Sequence, residues 1–255
     1  MTVLTGRGKF DEAESILNQA LTPGVLQNPG CVEAVRVRGD FIFGHQGRWA
    51  EALADYQRAL EFRPTEAQNY HGVAPLLVAT TNVEAYRQLC PRIVEHFRDT
   101  ADAGTADQMA KDCLILPLSG AELRAVAVMA DLAVNTGKAM AAYPFFQCCK
   151  ALAEYRQGHW SESVYWATNA AQNPFPYSRG EAWLILAMSE YRLGRTNDAR
   201  ADVAQCELLV EKQLPQLGHD LGGDWRDWIV VHALLKEAQG LIEGRGVPDN
   251  GSSSK

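Results

Sequence analysis

The sequence predicts an all-α protein: a solenoid of about five stacked helical hairpins followed by one further helix at the C-terminus. Three observations support this. The string Glu-Tyr-Arg-x-Gly occurs at 154–158 and again at 190–194, so its two copies are 36 residues apart. A helical apolar pattern follows each copy. Glycines and prolines end the helical patterns along the chain. A fixed period of this size is typical of stacked hairpins, because a single hairpin cannot bury its apolar face alone.

The composition is ordinary for a globular protein. Of 255 residues, 47% are apolar and 22% are charged, which leaves ample material for a core. The formal net charge of -7 argues against nucleic-acid binding through phosphate neutralisation. The sequence shows neither an apolar run of 18 residues nor a signal peptide, so we expect no membrane span and a cytoplasmic location. The six cysteines form no C-x-x-C pair, and we expect them to be reduced and buried.

The N-terminal part of the chain contains three helical patterns. The first spans 9–21 and ends at Thr22-Pro23-Gly24. Because too few residues precede it for a partner helix, we expect either that the first helix is absent or that this is a piece of a longer polypeptide. The next two patterns, 31–45 and 49–62, form a hairpin around the turn at 46–48.

The middle of the chain, from 65 to 139, is the least regular part. Helical patterns cover 66–80 and 82–97, although each contains a proline. A proline inside a helix removes one backbone hydrogen bond, so we expect a bend or a short break at Pro75 and at Pro91.

Two further helix starts in this middle part are predicted from capping residues. Thr105 is expected to cap a helix that ends near Leu116. Ser119 and Glu122 have the spacing of a capping box and are expected to open a helix that ends at 135–137.

The C-terminal part contains two more hairpins and one long helix. The long helix carries one apolar stripe, formed by Trp228, Val231, Leu235, Ala238 and Ile242. We expect it to cover the open end of the last hairpin, because terminal units must shield the core from water. The predicted organisation is one domain over 1–248, with hairpins at approximately 1–22, 31–64, 66–98, 105–137, 141–173 and 178–214, a closing helix at 224–243 and a disordered tail at 249–255.

Several hairpins share a turn glycine, an aromatic residue and small residues at one internal spacing. The best copy is Gly47, Trp49, Ala52, Tyr56, Ala59 and Pro64, which resembles the second half of the tetratricopeptide repeat. A less complete copy is Gly8, Phe10, Ala13, Leu17 and Ala20. A third is Gly158, Trp160, Ala167 and Ala170, with Ser163 where the family usually has alanine. The last unit has Trp183, Ala187, Gly194 and Ala199, with Thr196 in place of the usual aromatic residue. This resemblance implies a right-handed α-α superhelix with a concave, partner-binding groove.

Six strings resemble one particular group, the degenerate repeat regions that follow serine/threonine kinase domains in large bacterial proteins. They are 74–77, 85–90, 96–100, 110–117, 187–194 and 225–228. The sequence itself has no glycine-rich loop, VAIK-like lysine, HRD string or DFG string, so it holds no kinase domain. The resemblance implies attachment to, or association with, a serine/threonine kinase.

Motifs for catalysis or cofactors are missing from the sequence. The six histidines have no metal-ligand spacing, and no P-loop, dinucleotide loop or GxSxG string occurs. Cys148-Cys149 is interpreted as packing and not as a redox or metal site. His219-Asp220 is interpreted as a solvated loop pair. We therefore expect no cofactor, no metal and no enzymatic activity.

The best candidates for partner binding are Tyr155, Arg156, Tyr191 and Arg192, with His45 at the equivalent place in an earlier unit. In tetratricopeptide proteins the first helix of each unit lines the groove, and these residues fall near the end of that helix. Two arginines at equivalent heights are suited to clamp the carboxylates of an acidic peptide through bidentate bonds. The alternative is that each arginine only stabilises the C-terminus of its helix.

The sequence thus favours a non-catalytic scaffold that binds a peptide or a protein domain in its groove, within a bacterial signalling system. A ligand- or peptide-sensing regulator that changes shape is the main alternative, and an enzyme on a helical scaffold is a weaker one. A partly buried apolar pocket on the concave face would favour a sensor, whereas an open polar groove would favour peptide docking.

Overall fold

A computed structural model describes residues 8–244; the expected tail at 249–255 and the opening residues of the range 1–22 lie outside the described residues. Within this range the chain forms twelve α-helices. Their bounds are α1 Phe10–Ala20, α2 Val32–Arg38, α3 Trp49–Phe62, α4 Ala67–Ala79, α5 Val83–Phe97, α6 Ala103–Leu114, α7 Gly120–Thr136, α8 Tyr143–Gln157, α9 Trp160–Ala170, α10 Pro176–Arg192, α11 Thr196–Gln213 and α12 Trp225–Ile242.

Helices α2 to α11 pack as consecutive pairs, each consisting of a first and a second helix. The first helices α4, α6, α8 and α10 also pack on one another in that order, and each second helix contacts the first helix of the following pair. This arrangement is a tetratricopeptide-like α-solenoid, and it confirms the predicted fold class.

The repeated Glu-Tyr-Arg-x-Gly string is a helix C-terminus with one hydrogen-bond pattern in both copies. The NH of Gly158 donates to the carbonyl of Tyr155, and the NH of His159 donates to that of Glu154. The second copy repeats both bonds at Gly194 and Arg195. Gly158 and Gly194 have φ values of +82° and +80°, a region that favours glycine. The string is thus conserved between the copies because it ends the first helix with a Schellman motif.

Small residues allow the second helices to approach their neighbours closely. Six alanines at the repeat positions are fully buried, namely Ala13, Ala52, Ala59, Ala167, Ala170 and Ala199, whereas Ala20 is exposed. Ser163, which replaces the usual alanine, is also buried, and its hydroxyl donates to the carbonyl of Ala151 at 2.9 Å. The hydroxyl is tolerated there because a buried polar group needs a hydrogen-bond partner and has one.

The two internal prolines do not break their helices, contrary to one of the predicted outcomes. Pro75 lies within α4 and Pro91 within α5, and both helices continue past them. Pro75 is buried between Ala74 and Leu76, so the packing of this segment compensates for the missing hydrogen bond. Pro91 lies on the exposed face of α5, where water can hydrate the freed carbonyl.

Of the two predicted helix caps in the middle of the chain, Thr105 is wrong, whereas Ser119 does occupy the N-cap position of α7 but lacks the predicted side-chain bond. Helix α6 begins at Ala103, and its cap is Asp102, whose carboxylate accepts from the NH of Thr105 at 2.8 Å. This hydrogen bond lowers the pKa of Asp102. A carboxylate is a better acceptor for helix NH groups than a hydroxyl, which explains why the helix starts earlier than expected. Ser119 precedes α7 but makes no capping hydrogen bond, so the capping box does not form.

Gly72 in α4 is required by the close approach of α3. A Cβ added at this position would lie 2.1 Å from the ring of Tyr56, which is itself buried. We expect Gly72→Ala to lower the free energy of unfolding by about 1–3 kcal/mol, since the ring has to move within a packed core. Gly180→Ala in α10 is the matched control: its Cβ would make an ordinary contact at 3.5 Å, so its stability should change by less than about 1 kcal/mol. Urea denaturation measures both, and equal stabilities would contradict this account.

Candidate functional site

The surface that a groove ligand would occupy is filled by the chain's own terminal helix. Helix α12 packs on α4, α10 and α11, and ion pairs join it to α6 and α8. Within the described residues of α12, Lys236 alone is exposed. We call the surface that surrounds α12 the inner face. Its contact residues include Asp40, Tyr56, Lys111, Arg156 and Glu207.

This position of α12 differs from the predicted one. The expected cover of the last hairpin corresponds to the contacts with α10 and α11, but the helix also returns to the first repeats. Its buried residues are Trp225, Arg226, Ile229, Val230, Val231, Leu234, Ala238 and Ile242. They lie on several sides of the helix, and two members of the predicted stripe, Trp228 and Leu235, are only half-buried. A helix enclosed by a solenoid has no single buried stripe.

The N-terminal end of α12 is anchored to the first described hairpin by an aromatic residue and an arginine. Trp225 is fully buried, and its indole NH donates to Asp40 at 2.9 Å. The guanidinium of Arg226 forms an ion pair with the same Asp40 oxygen at 2.9 Å and donates to the hydroxyl of Tyr56. Asp40 lies in a π-helical turn, Gly39–Gly44, which continues α2. Burial raises the pKa of Tyr56 to about 12, so its hydroxyl stays neutral.

The middle of the inner face contains a buried lysine that forms ion pairs with two carboxylates. The ammonium of Lys111 in α6 lies 3.4 Å from Glu181 in α10 and 3.8 Å from Asp227 in α12. Burial alone would lower the pKa of Lys111, but the two carboxylates outweigh it and hold the pKa well above its usual value. Burial raises the pKa of Glu181 to about 7, because one ammonium cannot fully stabilise two carboxylates in a dry environment.

The C-terminal half of α12 is clamped by Arg156 of α8. Its guanidinium binds the carboxylate of Glu237 in a bidentate manner, with one N–O distance of 2.7 Å. The same guanidinium donates to the carbonyls of Leu114 and Ile115, each at 3.2 Å. The Arg156 side chain is only 3% exposed, so all its donor groups are committed within the protein.

The loop between α11 and α12 is also attached to the first hairpin. The imidazole of His45 lies 2.8 Å from the carboxylate of Asp220, and the NH of Leu221 donates to the carbonyl of His45. His219 and Asp220 are both exposed in this loop, as expected of a solvated pair, but Asp220 also has a partner in His45. The loop directs the chain from α11 back to the start of the described repeats.

The structure separates the predicted partner-binding residues into two groups. Arg156 and His45 each bind a carboxylate, but both carboxylates belong to the C-terminal segment of the same chain. Tyr155 is buried next to Arg156, and Tyr191 is half-buried. Arg192 is exposed and lies beside Tyr155, where it interacts with the hydroxyl.

Sequence reasoning missed most of the contacts that hold α12. Asp40, Lys111, Glu181 and Glu237 were not identified as candidates. The only available signal was their position: Lys111 and Glu181 interrupt apolar helical patterns, where an unpaired charge is costly.

The vicinal cysteines lie between first helices and not on an open surface. Cys148 contacts Glu181 of α10, and Cys149 contacts the carbonyl of Asp107 in α6. Burial raises the pKa of both thiols well above the usual value, which makes them poor nucleophiles. Among residues 8–244, no group of three or more metal-ligating side chains is suited to hold an ion, and no helix is long and apolar enough to cross a membrane.

Residues 3–67 match the tetratricopeptide repeat. This match covers the N-terminal repeats, including the hairpin that anchors Trp225. A comparison with curated proteins found no match. Tetratricopeptide repeats are in general non-catalytic helical scaffolds that mediate protein–protein interactions.

The two arginines that sequence analysis treats as equivalent should differ in their effect on stability. Arg156→Ala leaves Glu237 without its partner in a largely buried site, so we expect a loss of about 3 kcal/mol in the free energy of unfolding. Arg192→Ala removes an exposed side chain and should change it by less than about 0.5 kcal/mol. Denaturant titrations of both variants measure the difference, and similar losses would show that Arg156 does not hold α12.

Glu181 should make stability depend on pH. A carboxyl group whose pKa is about 7 in the folded protein and near 4.5 in the unfolded chain binds more protons when folded, so the free energy of unfolding falls as pH rises through this interval. We expect a fall of about 1–3 kcal/mol between pH 5 and pH 8, part of which disappears in Glu181→Gln.

Burial also raises the pKa of Asp202 in α11 to about 7 and that of Asp107 in α6 to about 6, so both add to the same fall in stability. Asp202→Asn is the reference variant, because Asp202 titrates in the same range as Glu181. Thermal or urea unfolding across this pH range tests the assignment. A pH dependence that is unchanged in Glu181→Gln would exclude it.

Proposed function

We propose that this protein is a non-catalytic scaffold that binds a protein or peptide partner, and that it serves as a regulatory or docking region of a bacterial serine/threonine kinase system. The observation that carries the scaffold role is that the inner face already binds a helix through paired charges and tryptophans. The match to the tetratricopeptide repeat supports it independently. The kinase context is supported by the resemblance of the middle and C-terminal strings.

The arrangement of titratable groups supports a non-catalytic role. Lys111 and Glu181 on the inner face, and Asp107 in α6, have strongly shifted pKa values, and all three are buried. They pair with one another or with their neighbours and do not converge on an open cavity, as catalytic groups must. The six thiols are buried and unpaired, which favours the reducing environment of the cytoplasm.

We propose that an acidic partner first meets the protein at Arg192. This guanidinium is exposed at the C-terminal end of α10, next to the Tyr155 hydroxyl, with Tyr191 beside it. Tyr155, Arg156 and His45 contribute to the same interface only where the C-terminal segment leaves them accessible.

The alternative, a sensor that changes shape on binding, has one specific observation in its favour. The inner face is neither an open polar groove nor an apolar pocket, because α12 fills it. Two surface depressions, on α1 and between α11 and α12, are open to solvent. A ligand of the inner face must therefore replace a helix.

The test is capture of partners in cells that produce the protein, using chemical crosslinking and mass spectrometry. Wild type is compared with Arg192→Ala and with Arg200→Ala, a control that removes an exposed arginine of α11. We expect recovered proteins to include one with kinase catalytic motifs, and recovery to fall about 10-fold for Arg192→Ala alone.

The outcomes separate the parts of the proposal. Partners without any kinase among them would support the scaffold and contradict the kinase context. Equal recovery by both variants would remove Arg192 from the interface. If nothing is recovered specifically, the scaffold role itself fails.

A further inference from the structure

The inner face resembles a binding site with its ligand in place. The repeats contact one another without the help of α12, since consecutive first helices pack directly on one another. Helix α12 follows them in the chain and is joined to them by a single loop, residues 214–224. It can therefore leave the inner face without unthreading any other element.

Ion pairs hold α12 at three heights along the solenoid. Arg226 binds Asp40 beside α2 at 2.9 Å, and Asp227 lies 3.8 Å from Lys111 of α6. Glu237 binds Arg156 of α8, with one N–O distance of 2.7 Å. On the inner face these groups are negative at Asp40 and positive at Lys111 and Arg156. The three partners on α12 carry the opposite charges.

We propose that the inner face is a helix-binding groove that α12 occupies in the resting protein, and that a partner displaces α12 by presenting an amphipathic helix with the same pattern of charges. That pattern is Arg-Asp followed, ten residues after the Asp, by Glu, with tryptophans beside the Arg-Asp pair. This inference rests on the proposed scaffold function and names the class of partner for it.

The cost of exposing apolar side chains explains why the partner must be an amphipathic helix. The apolar side chains of α12, including Trp225, Ile229 and Leu234, are buried, and exposing all of them would exceed the net stability of an ordinary domain. Helix α12 is therefore not released into water. An incoming helix that buries an equivalent apolar face removes this penalty, whereas an extended acidic peptide does not.

Polar groups around α12 make its present packing imperfect and thus open to competition. One oxygen of Glu181, on the inner face, and the Nε of Arg226, in α12 itself, are buried without a hydrogen-bond partner among the described residues. Each unpaired group reduces the stability of the closed arrangement, and buried ion pairs gain little net energy over their desolvation. A partner that pairs with the Glu181 oxygen and brings no unpaired polar group of its own has an advantage in exchange.

The probe is a fluorescent synthetic peptide with the sequence of residues 224–243, added to the full-length protein. Wild type should bind it weakly, because α12 competes at a high effective concentration. Glu237→Arg places a positive charge opposite Arg156 and weakens this competition, so we expect the variant to bind the peptide about 100-fold more tightly. Lys236→Glu changes the charge at the exposed neighbouring position and should leave the affinity at the wild-type level.

A peptide with a reversed charge distinguishes specific recognition in the groove from non-specific binding to a partly unfolded protein. A peptide that itself carries Glu237→Arg should bind the Glu237→Arg protein about 100-fold more weakly than the wild-type peptide does. Binding of both peptides with equal affinity, or of neither to a folded Glu237→Arg protein, would overturn the proposal. Circular dichroism establishes that each variant is folded.

Hydrogen exchange on wild type provides a test that needs no variant. Saturating peptide should accelerate exchange of the α12 amides at least 10-fold while the amides of α4, α6 and α8 stay protected. Unchanged exchange of α12 would overturn the proposal even if Glu237→Arg fails to fold. A wild-type dimer that exchanges α12 between copies would assign the groove to a second copy of this chain and overturn the role of a separate partner.

The peptide experiment tests exchange at the inner face, and the capture experiment tests the scaffold function, so one can fail without the other. Peptide exchange without any captured protein would leave the groove intact and remove the scaffold function. Captured partners that bind Glu237→Arg and Lys236→Glu equally, with no peptide binding to either, would support the scaffold and overturn exchange at the inner face.

Discussion

The repeats enclose α12, which packs on the first helices α4 and α10 and on the second helix α11. Once this helix is surrounded, each charged group that faces it has to find a partner, since an isolated buried charge is strongly unfavourable. Arg226 pairs with Asp40, and Lys111 is shared between Glu181 and Asp227. The raised pKa of Glu181 follows from the same enclosure, because burial favours the neutral form of a carboxyl group.

The solenoid combines two kinds of contact that differ in range along the chain. Pairs of helices and their stacking involve neighbouring segments, as repeats do in general. The contacts of α12 join residues that are 81 positions apart at Arg156 and Glu237, and 185 apart at Asp40 and Trp225. The second kind converts a linear array of repeats into a structure whose end returns to its beginning, and it also determines which surfaces a partner can reach.

The candidate site illustrates how far sequence reasoning extends. The residue type and position of Arg156 indicated a bidentate clamp for a carboxylate, and the structure has such a clamp with Glu237 of the same chain. The sequence offered no way to distinguish an internal carboxylate from that of a partner, because both satisfy the same guanidinium. Tyr191 and Arg192, at the equivalent place in the next unit, face a different environment, and Arg192 remains exposed. Equivalent positions in a repeat share backbone geometry but not neighbours.

The helices, their pairing into hairpins and the turns between them could be predicted from the amino-acid sequence. These features depend on local signals: apolar periodicity, small residues at the interfaces, and glycines such as Gly158 and Gly194 that end a helix in the left-handed region. The position of α12 inside the solenoid, and the pairing of Glu237 with Arg156 and of Asp220 with His45, could not be predicted in this way. The physical reason is that these contacts join distant segments without any periodic pattern, and a charged side chain on a helix has the same sequence signal whether it meets water, a partner or another part of its own chain.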